Sequence, residues 1–177
     1  NKPIKVANAP CSWGALEFDL DGQAAGAERV LSEMSEAGFA GTEFGDWGFL
    51  PTDPDGLHAI LQKYGLQMIG AFVPVALLKK EALAGGIEVA VRTASLLKTV
   101  SDRPFIVLAD ENGSVPERTA CAGRIRADQG LSNSQWRTFG DGANRLAEAV
   151  LERTGVRTVF HHHCAGYVET PAEVEKL

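Results

Sequence analysis

Short apolar segments alternate with amphipathic helical patterns five times along this chain, and this alternation constrains its fold more than any other feature. The apolar segments predict strands near residues 4–9, 41–44, 66–75, 104–109 and 156–160. Between them, apolar residues recur at helical spacing, which is typical of helices packed on one face. Neighbouring parallel strands need a long crossover that is usually a helix. The sequence therefore predicts an α/β fold built on a parallel sheet.

Chain length leaves two architectures open. A five-stranded doubly wound parallel sheet would be complete within 177 residues. A (βα)8 TIM barrel needs about 250 residues, so this chain would hold only its first five βα units. Thr170, Pro171 and Glu173 predict a new helix, because they form a capping box with proline at the first helical position. A helix that starts this close to Leu177 favours the truncated barrel, as a single domain over 1–177.

Composition disfavours several classes of function. The chain has 17 basic and 23 acidic residues and a formal net charge of −6, so we expect neither a nucleic acid nor a membrane as partner. Its three cysteines, Cys11, Cys121 and Cys164, are scattered and odd in number, which argues against a disulfide framework. Without a signal peptide or a long apolar run, the protein is predicted to be cytoplasmic. No Walker loop or dinucleotide fingerprint follows a predicted strand.

Three consecutive histidines, His161, His162 and His163, follow the last apolar segment. If the strand continued through them, His161 and His163 would share one face, about 7 Å apart, with His162 on the other. Phe160 would then face the covering helices. The carboxyl edge of such a sheet is where α/β proteins hold functional groups. We therefore expect a metal ligand, a proton shuttle or a substrate donor here; the alternatives are stacked surface histidines or a tag remnant, although tags sit at termini.

Carboxylates at other predicted strand ends are candidates for proton transfer or for binding substrate hydroxyl groups. Glu43 closes the second strand and could act as a base, or as a hydrogen-bond partner of another functional group. Asp110 and Glu111 follow the fourth strand, and alternation allows only one of them to face the site. Glu169 could bind a substrate hydroxyl or interact with the N-terminus of the helix that follows it.

Two tryptophans and a long connection supply further candidates. Trp13 and Trp47 lie in loops after strands, where an indole can stack on a sugar or cyclitol ring or pack in the core. The connection 113–135 exceeds the usual loop length, so it is either functional or disordered. It contains Arg118, Arg124 and Arg126. Because arginine recognises carboxylates and phosphates, Arg124 is a candidate contact for an anionic substrate; solvated loop charges are the alternative.

Five segments of the chain carry a resemblance to a known family. They are NAPCSW at 8–13, GFAGTEFG at 38–45, PTDP at 51–54, YGL at 64–66 and HHHCAGYVETP at 161–171. Together they resemble the sugar phosphate isomerase/epimerase superfamily of xylose isomerase-like TIM barrels, and the last segment resembles its inosose dehydratase-like members. The resemblance implies an eight-stranded barrel with a divalent metal (Mn, Co, Mg or Zn) at its carboxyl mouth.

The resemblance also implies an enzyme that removes a proton next to the carbonyl of a polyhydroxy ketone or sugar, giving an isomerase, an epimerase or a dehydratase. Many members place a metal-binding glutamate at the end of the fifth strand, where this chain has histidine, so His161 is the implied metal ligand and His162 the weaker alternative. Most other ligands are expected beyond residue 177. The catalytic candidates are His163, Glu43 and Glu169, and the substrate-binding candidates are Trp13, Trp47, Glu111 and Arg124. The alternative is a non-catalytic small-ligand or regulatory module on the same fold. A homo-oligomer is compatible with either.

Overall fold

The computed structural model describes residues 4–14 and 25–177. Its strands are β1 (Ala7–Asn8), β2 (Gly41–Glu43), β3 (Gln67–Val75), β4 (Phe105–Asp110) and β5 (Arg157–Phe160). Its helices are α1 (Ala27–Glu36), α2 (Pro54–Tyr64), α3 (Lys80–Val100), α4 (Pro116–Ala120), α5 (Asn133–Thr154) and α6 (Pro171–Lys176). Two 3-10 helices cover Pro10–Trp13 and Ala127–Gln129. Within the described ranges, no helix combines the length and the apolarity that crossing a bilayer requires.

The order of the strands distinguishes between the two predicted architectures. The sheet runs β1-β2-β3-β4-β5, and the β1–β2 and β2–β3 pairs are parallel. Each strand therefore lies beside its predecessor in the chain, as in successive units of a TIM barrel. A doubly wound sheet instead reverses direction at a switch point, so its strand order is not sequential. The barrel prediction agrees with this order, and the doubly wound alternative does not.

The chain divides into two compact units, and the boundaries between them fall within β3, α3 and β4. The first unit contains Asn1–Phe72 and Thr93–Ile106. The second unit contains Val73–Arg92 and Val107–Leu177. The predicted single domain thus contains two clusters of contacts, each with its own buried apolar side chains.

The first unit is organised around β2 and the helices that flank it in sequence. The apolar stripe of α1, formed by Val30, Leu31 and Met34, is completely buried. β1 is shorter than the predicted strand, because β2, its partner, has only three residues, of which two pair with it. Gly41 allows β2 to lie close to β3 on its other side, since a Cβ there would lie 2.6 Å from the carbonyl oxygen of Gln67. Short, tightly paired strands thus bring the chain to Glu43 at the end of β2.

The second unit places the end of β5 against α5. Phe139 of α5 is fully buried, and its ring centroid lies 6.0 Å from that of Phe160 in an edge-to-face contact. The prediction that Phe160 faces a covering helix is thereby confirmed. The capping box of α6 is also confirmed, because the Thr170 hydroxyl accepts a hydrogen bond from the Glu173 N–H and the Glu173 carboxylate accepts one from the Thr170 N–H. The histidines lie between these two anchored elements.

The connection 113–135 has regular structure that the sequence analysis missed. It contains α4 and the 3-10 helix Ala127–Gln129 before α5 begins. α4 has only five residues, and helices this short are not stable by propensity alone. Its stability comes instead from tertiary contacts, chiefly those of Arg118, described below.

Candidate active site

The histidine run lies just beyond β5. The strand ends at Phe160, and the His161 N–H then donates a 2.8 Å hydrogen bond to the carbonyl oxygen of Leu108 in β4. The ring centroid of His161 is 5.5 Å from that of His163 and 6.1 Å from that of His162. The histidines therefore form one cluster around His161, whereas a continued strand would have turned His162 away. The difference arises because regular strand geometry stops before the cluster begins.

His161 lies in surroundings that disfavour its protonated form. Burial is the main cause that lowers the pKa of His161, and the neighbouring charges of His163 and His162 lower it further. A lowered pKa keeps the imidazole neutral near neutral pH, with one ring nitrogen carrying a lone pair. That is the form in which histidine binds a metal ion.

His163 is oriented by its own backbone. Its Nδ1 lies 2.9 Å from the carbonyl oxygen of Cys164, and the Cys164 thiol sulfur is 3.7 Å from the same nitrogen. A carbonyl oxygen can only accept a hydrogen bond, so this contact assigns the proton to Nδ1. In the neutral ring Nε2 then carries the lone pair and is the nitrogen that can take up and release a proton.

The described residues do not form a complete metal site. Within 4–14 and 25–177, no three histidine, cysteine, aspartate or glutamate side chains are grouped so that they could hold one ion. His161 can offer a single neutral imidazole nitrogen, a ligand type that suits zinc and other transition metals. Metal binding by His161 therefore stays a prediction, and it requires ligands other than the described side chains.

Two adjacent carboxylates after β4 have different surroundings. Asp110 is 8% exposed, and burial raises its pKa to about 6, although the backbone N–H groups of Tyr167, Glu111 and Leu77 act in the opposite direction. Glu111 is half-exposed and pairs with Lys79 at 3.1 Å. Alternation predicts that only one of the two can face inward, and the inward residue is Asp110. Both residues are candidates from the sequence, and the selection of Glu111 as the substrate contact stays a prediction.

Glu169 connects two loop segments through their backbones. One carboxylate oxygen accepts a 2.6 Å hydrogen bond from the Gly123 N–H, and the other accepts a 2.7 Å hydrogen bond from the Ala165 N–H. Both oxygens are thus already engaged by the protein. The predicted catalytic role of Glu169 remains untested, and these contacts give the residue a role in holding the loops.

Arg118 is the arginine of the connection 113–135 that the structure distinguishes, whereas the sequence favoured Arg124. Its side chain is 1% exposed, and its guanidinium forms a bidentate pair with Glu173 at 2.9 and 3.0 Å. Arg126 pairs with nearby acidic side chains, and Arg124 is exposed. The sequence pattern of the three arginines is similar, so nothing local distinguishes the buried one from the others. Arg124 remains a predicted substrate contact.

The first unit holds the remaining candidates. Trp13 donates a 2.6 Å hydrogen bond from Nε1 to the Glu33 carboxylate, which fixes the indole against α1. Trp47 is 39% exposed and its ring lies 5.8 Å from that of Phe44. Glu43 is half-buried at the end of β2. Of the two indoles, Trp47 has the larger exposed fraction, and the predicted roles of all three residues stay predictions.

Known proteins similar to this chain were found by sequence, although no family model matches it. An inosose dehydratase of Geobacillus kaustophilus is 27% identical over 175 residues, which is 99% of this chain and 56% of that protein. The rhizopine catabolism protein MocC of Rhizobium meliloti is 32% identical over 174 residues, 98% of this chain and 51% of that protein. The chain thus spans about half the length of the curated relatives it matches.

Solved structures with the same fold are TIM barrels. The 3-keto-D-glucoside 4-epimerase YcjR from E. coli has a TM-score of 0.62 and 17% identity, with 98% of this chain and 65% of that chain covered. A xylose isomerase-like TIM barrel protein from Mycobacterium smegmatis, solved in complex with magnesium, has a TM-score of 0.63 and 12% identity, with 97% and 58% covered. These matches confirm the predicted fold class, of which the chain represents about three fifths.

Proposed function

We propose that this chain, which has the fold of the xylose isomerase-like TIM barrels and sequence similarity to inosose dehydratases, belongs to an enzyme acting on a sugar or cyclitol. The proposed reaction removes a proton from the carbon next to a carbonyl. Return of the proton gives isomerisation or epimerisation, and loss of a β-hydroxyl group as water gives dehydration. The enzyme class inferred from the motifs agrees with the name of the inosose dehydratase among the curated relatives.

The observation that carries this proposal is the orientation of His163. It lies in the segment with the strongest resemblance to inosose dehydratase-like proteins, and its Nδ1 is held by the Cys164 carbonyl oxygen at 2.9 Å. Its Nε2 is therefore the proton-transferring atom, donating to a leaving hydroxyl when the ring is protonated and accepting when it is neutral. A fixed ring costs less reorganisation during proton transfer than a freely rotating one.

Other candidates keep their proposed roles, each on its own element. Glu43 at the end of β2 is proposed as the base, and Glu169 as a further catalytic carboxylate. Trp13 and Trp47 are proposed to stack on the substrate ring. Glu111 and Arg124 are proposed to bind substrate hydroxyl or anionic groups. The substrate is proposed to be a small polyhydroxy ketone or sugar.

A divalent metal is part of the proposal, with His161 as one ligand. When bound, such an ion polarises the ketone oxygen and lowers the energy of the charge that develops there. The neutral imidazole of His161 suits this role, and the other ligands are proposed to come from outside the described residues. Magnesium is present in one solved protein with this fold.

Solvent exchange tests the reaction directly. The full-length protein, meaning the complete product of the reading frame that encodes this chain, is incubated in heavy water with inosose and ketose substrates and a divalent metal. Mass spectrometry should detect deuterium in recovered substrate or in product, because the abstracted proton exchanges with solvent. His163→Gln should slow the reaction by about 100- to 10,000-fold, the range for losing an acid–base group. His58→Gln, at an exposed position of α2, is the matched control and should react at the wild-type rate.

Two results would contradict the proposal. One is turnover with no deuterium in the recovered substrate or in the product, and with no isotope effect when the substrate is deuterated at the carbon next to the carbonyl. This result would exclude rate-limiting or reversible proton abstraction. Binding of these compounds without turnover would favour the non-catalytic module.

A further inference from the structure

The turn that follows His163 has a backbone conformation that needs outside support. Ala165 has a φ of 67°, in the left-handed region that residues other than glycine seldom adopt. Its N–H donates to the Glu169 carboxylate at 2.7 Å, which holds one side of the turn. Strained backbone of this kind persists only when surrounding contacts fix it, and it is concentrated at functional sites. We call residues 163–167 the histidine turn.

Arg118 holds the other side of the histidine turn. Its Nε donates a 2.7 Å hydrogen bond to the carbonyl oxygen of Gly166. Gly166 is buried, and a Cβ at this position would lie 3.1 Å from the side-chain oxygen of Asn112. A side chain at this position would require the Asn112 side chain to shift by a few tenths of an ångström. The guanidinium also lies over the Tyr167 ring, 5.1 Å from its centroid.

The same guanidinium is fixed by two other parts of the second unit. One of its terminal nitrogens donates to the Gln129 carbonyl oxygen at 2.9 Å, and both terminal nitrogens bind the carboxylate of Glu173 at the start of α6. Arg118 thus joins the connection 113–135, the histidine turn and α6 through one planar group. Lysine would supply the positive charge but not the planar, rigid arrangement of N–H donors that the guanidinium has.

A buried ion pair such as Arg118–Glu173 is by itself weak evidence for a gain in stability. Removing two charges from water carries a desolvation cost that can exceed their attraction. Replacing a buried ion pair with apolar side chains of similar volume therefore often leaves the stability of a protein unchanged or raises it. A buried ion pair with four directed hydrogen bonds to three segments instead specifies where those segments lie. The segment whose position matters most for chemistry is the histidine turn, because it carries His163.

We propose that Arg118 is a positioning residue for His163. By holding the Gly166 carbonyl, it keeps the histidine turn in the conformation in which Nδ1 of His163 bonds to the Cys164 carbonyl and Nε2 carries out proton transfer. The inference rests on the proposed function of His163 for its catalytic consequence. Its structural consequence, the tautomer of His163, is independent of any activity.

The test compares three variants of the full-length protein. Arg118→Lys keeps the charge, and Arg118→Met removes it. The matched control is Arg153→Met, because Arg153 also forms a bidentate pair, with Glu88 at 2.7 and 3.1 Å, but on the exposed surface of α5. Nitrogen-15 chemical shifts of neutral His163 report which ring nitrogen carries the proton. Circular dichroism reports folding, and the exchange assay gives kcat and KM.

We expect Arg118→Lys to fold, to show a mixture of His163 tautomers, and to lose about 10- to 100-fold in kcat, because a small displacement of a reacting group costs up to this much. Its KM should stay within about threefold of wild type. Arg153→Met should match wild type in every measurement. If no variant, including wild type, shows activity, the proposed function fails, while a tautomer change confined to the Arg118 variants would still support the positioning role.

Three outcomes would overturn the inference. A folded Arg118→Lys protein with the wild-type tautomer and wild-type kcat would show that the turn does not need this contact. A fall in kcat without a change of tautomer, or the reverse, would separate Arg118 from the action of His163. Failure of both Arg118 variants to fold would assign the residue a structural role only.

Discussion

The carboxyl group of Asp110 should make the stability of the protein depend on pH in an unusual direction. Burial raises its pKa from the ordinary value of 3.8 to about 6. Because the folded pKa exceeds the unfolded one, the folded state binds this proton more tightly. The group therefore favours folding at low pH, and that stabilisation is lost as the pH rises through about 6. At 1.36 kcal/mol per pKa unit the loss is about 3 kcal/mol.

Urea unfolding of the full-length protein and its Asp110→Asn variant at several pH values between 4 and 7 measures this effect. Asparagine is similar in shape but does not titrate, so groups common to both proteins cancel in the difference between their free energies of unfolding. Relative to the variant, wild type should lose up to about 3 kcal/mol across this range. Glu111→Gln, which removes the half-exposed neighbouring carboxyl group, tests whether the effect belongs to Asp110.

A constant difference across the pH range would show that burial does not raise this pKa. A rise in the free energy of unfolding of wild type relative to that of Asp110→Asn as the pH increases would instead indicate a lowered pKa. It would mean that the three backbone N–H groups around Asp110 stabilise its ionised form by more than burial destabilises it. Either result would refute the reasoning.

Two further predictions concern packing. Phe139→Ala should lower the free energy of unfolding by about 3–5 kcal/mol, because the ring is fully buried against Phe160. Leu151→Ala, at an exposed site, should lower it by less than about 1 kcal/mol, and urea titration compares the two variants. The 177-residue chain by itself should self-associate, because apolar Val159 is 40% exposed on β5, at the end of the strand order; a monomer by light scattering with cooperative unfolding would contradict this.

The fold was predictable where its determinants are local. Apolar segments and helical spacing predict the strands and the longer helices, and the α6 capping box depends only on neighbouring residues such as Thr170 and Glu173. The strand order distinguished the barrel from the doubly wound sheet, and this is a non-local property. α4 was missed because a five-residue helix has too few residues to show a period and is stabilised by the burial of Arg118.

The candidate site was predictable in part, for the same reason. The position of the histidines at the end of β5 follows from the sequence, but the end of regular strand geometry at Phe160 does not, because the apolar pattern of β5 gives no signal for it. Alternation predicts that one of Asp110 and Glu111 faces inward, yet the register decides which. The contact of Arg118 with Glu173 joins residues 55 positions apart, so no local sequence pattern predicts it.

The double use of Glu173 has a consequence for the order of folding. Its carboxylate accepts hydrogen bonds from the N–H groups of Glu169 and Thr170, which begin α6, and it also pairs with Arg118. The first set joins residues within five positions of one another, whereas the second joins residues 55 positions apart, so we expect it to form later in folding. Contacts that form after the transition state determine how fast a protein unfolds more than how fast it folds. If the Arg118 pair forms after the transition state, we expect Arg118→Lys to speed unfolding of the second unit more than it slows folding.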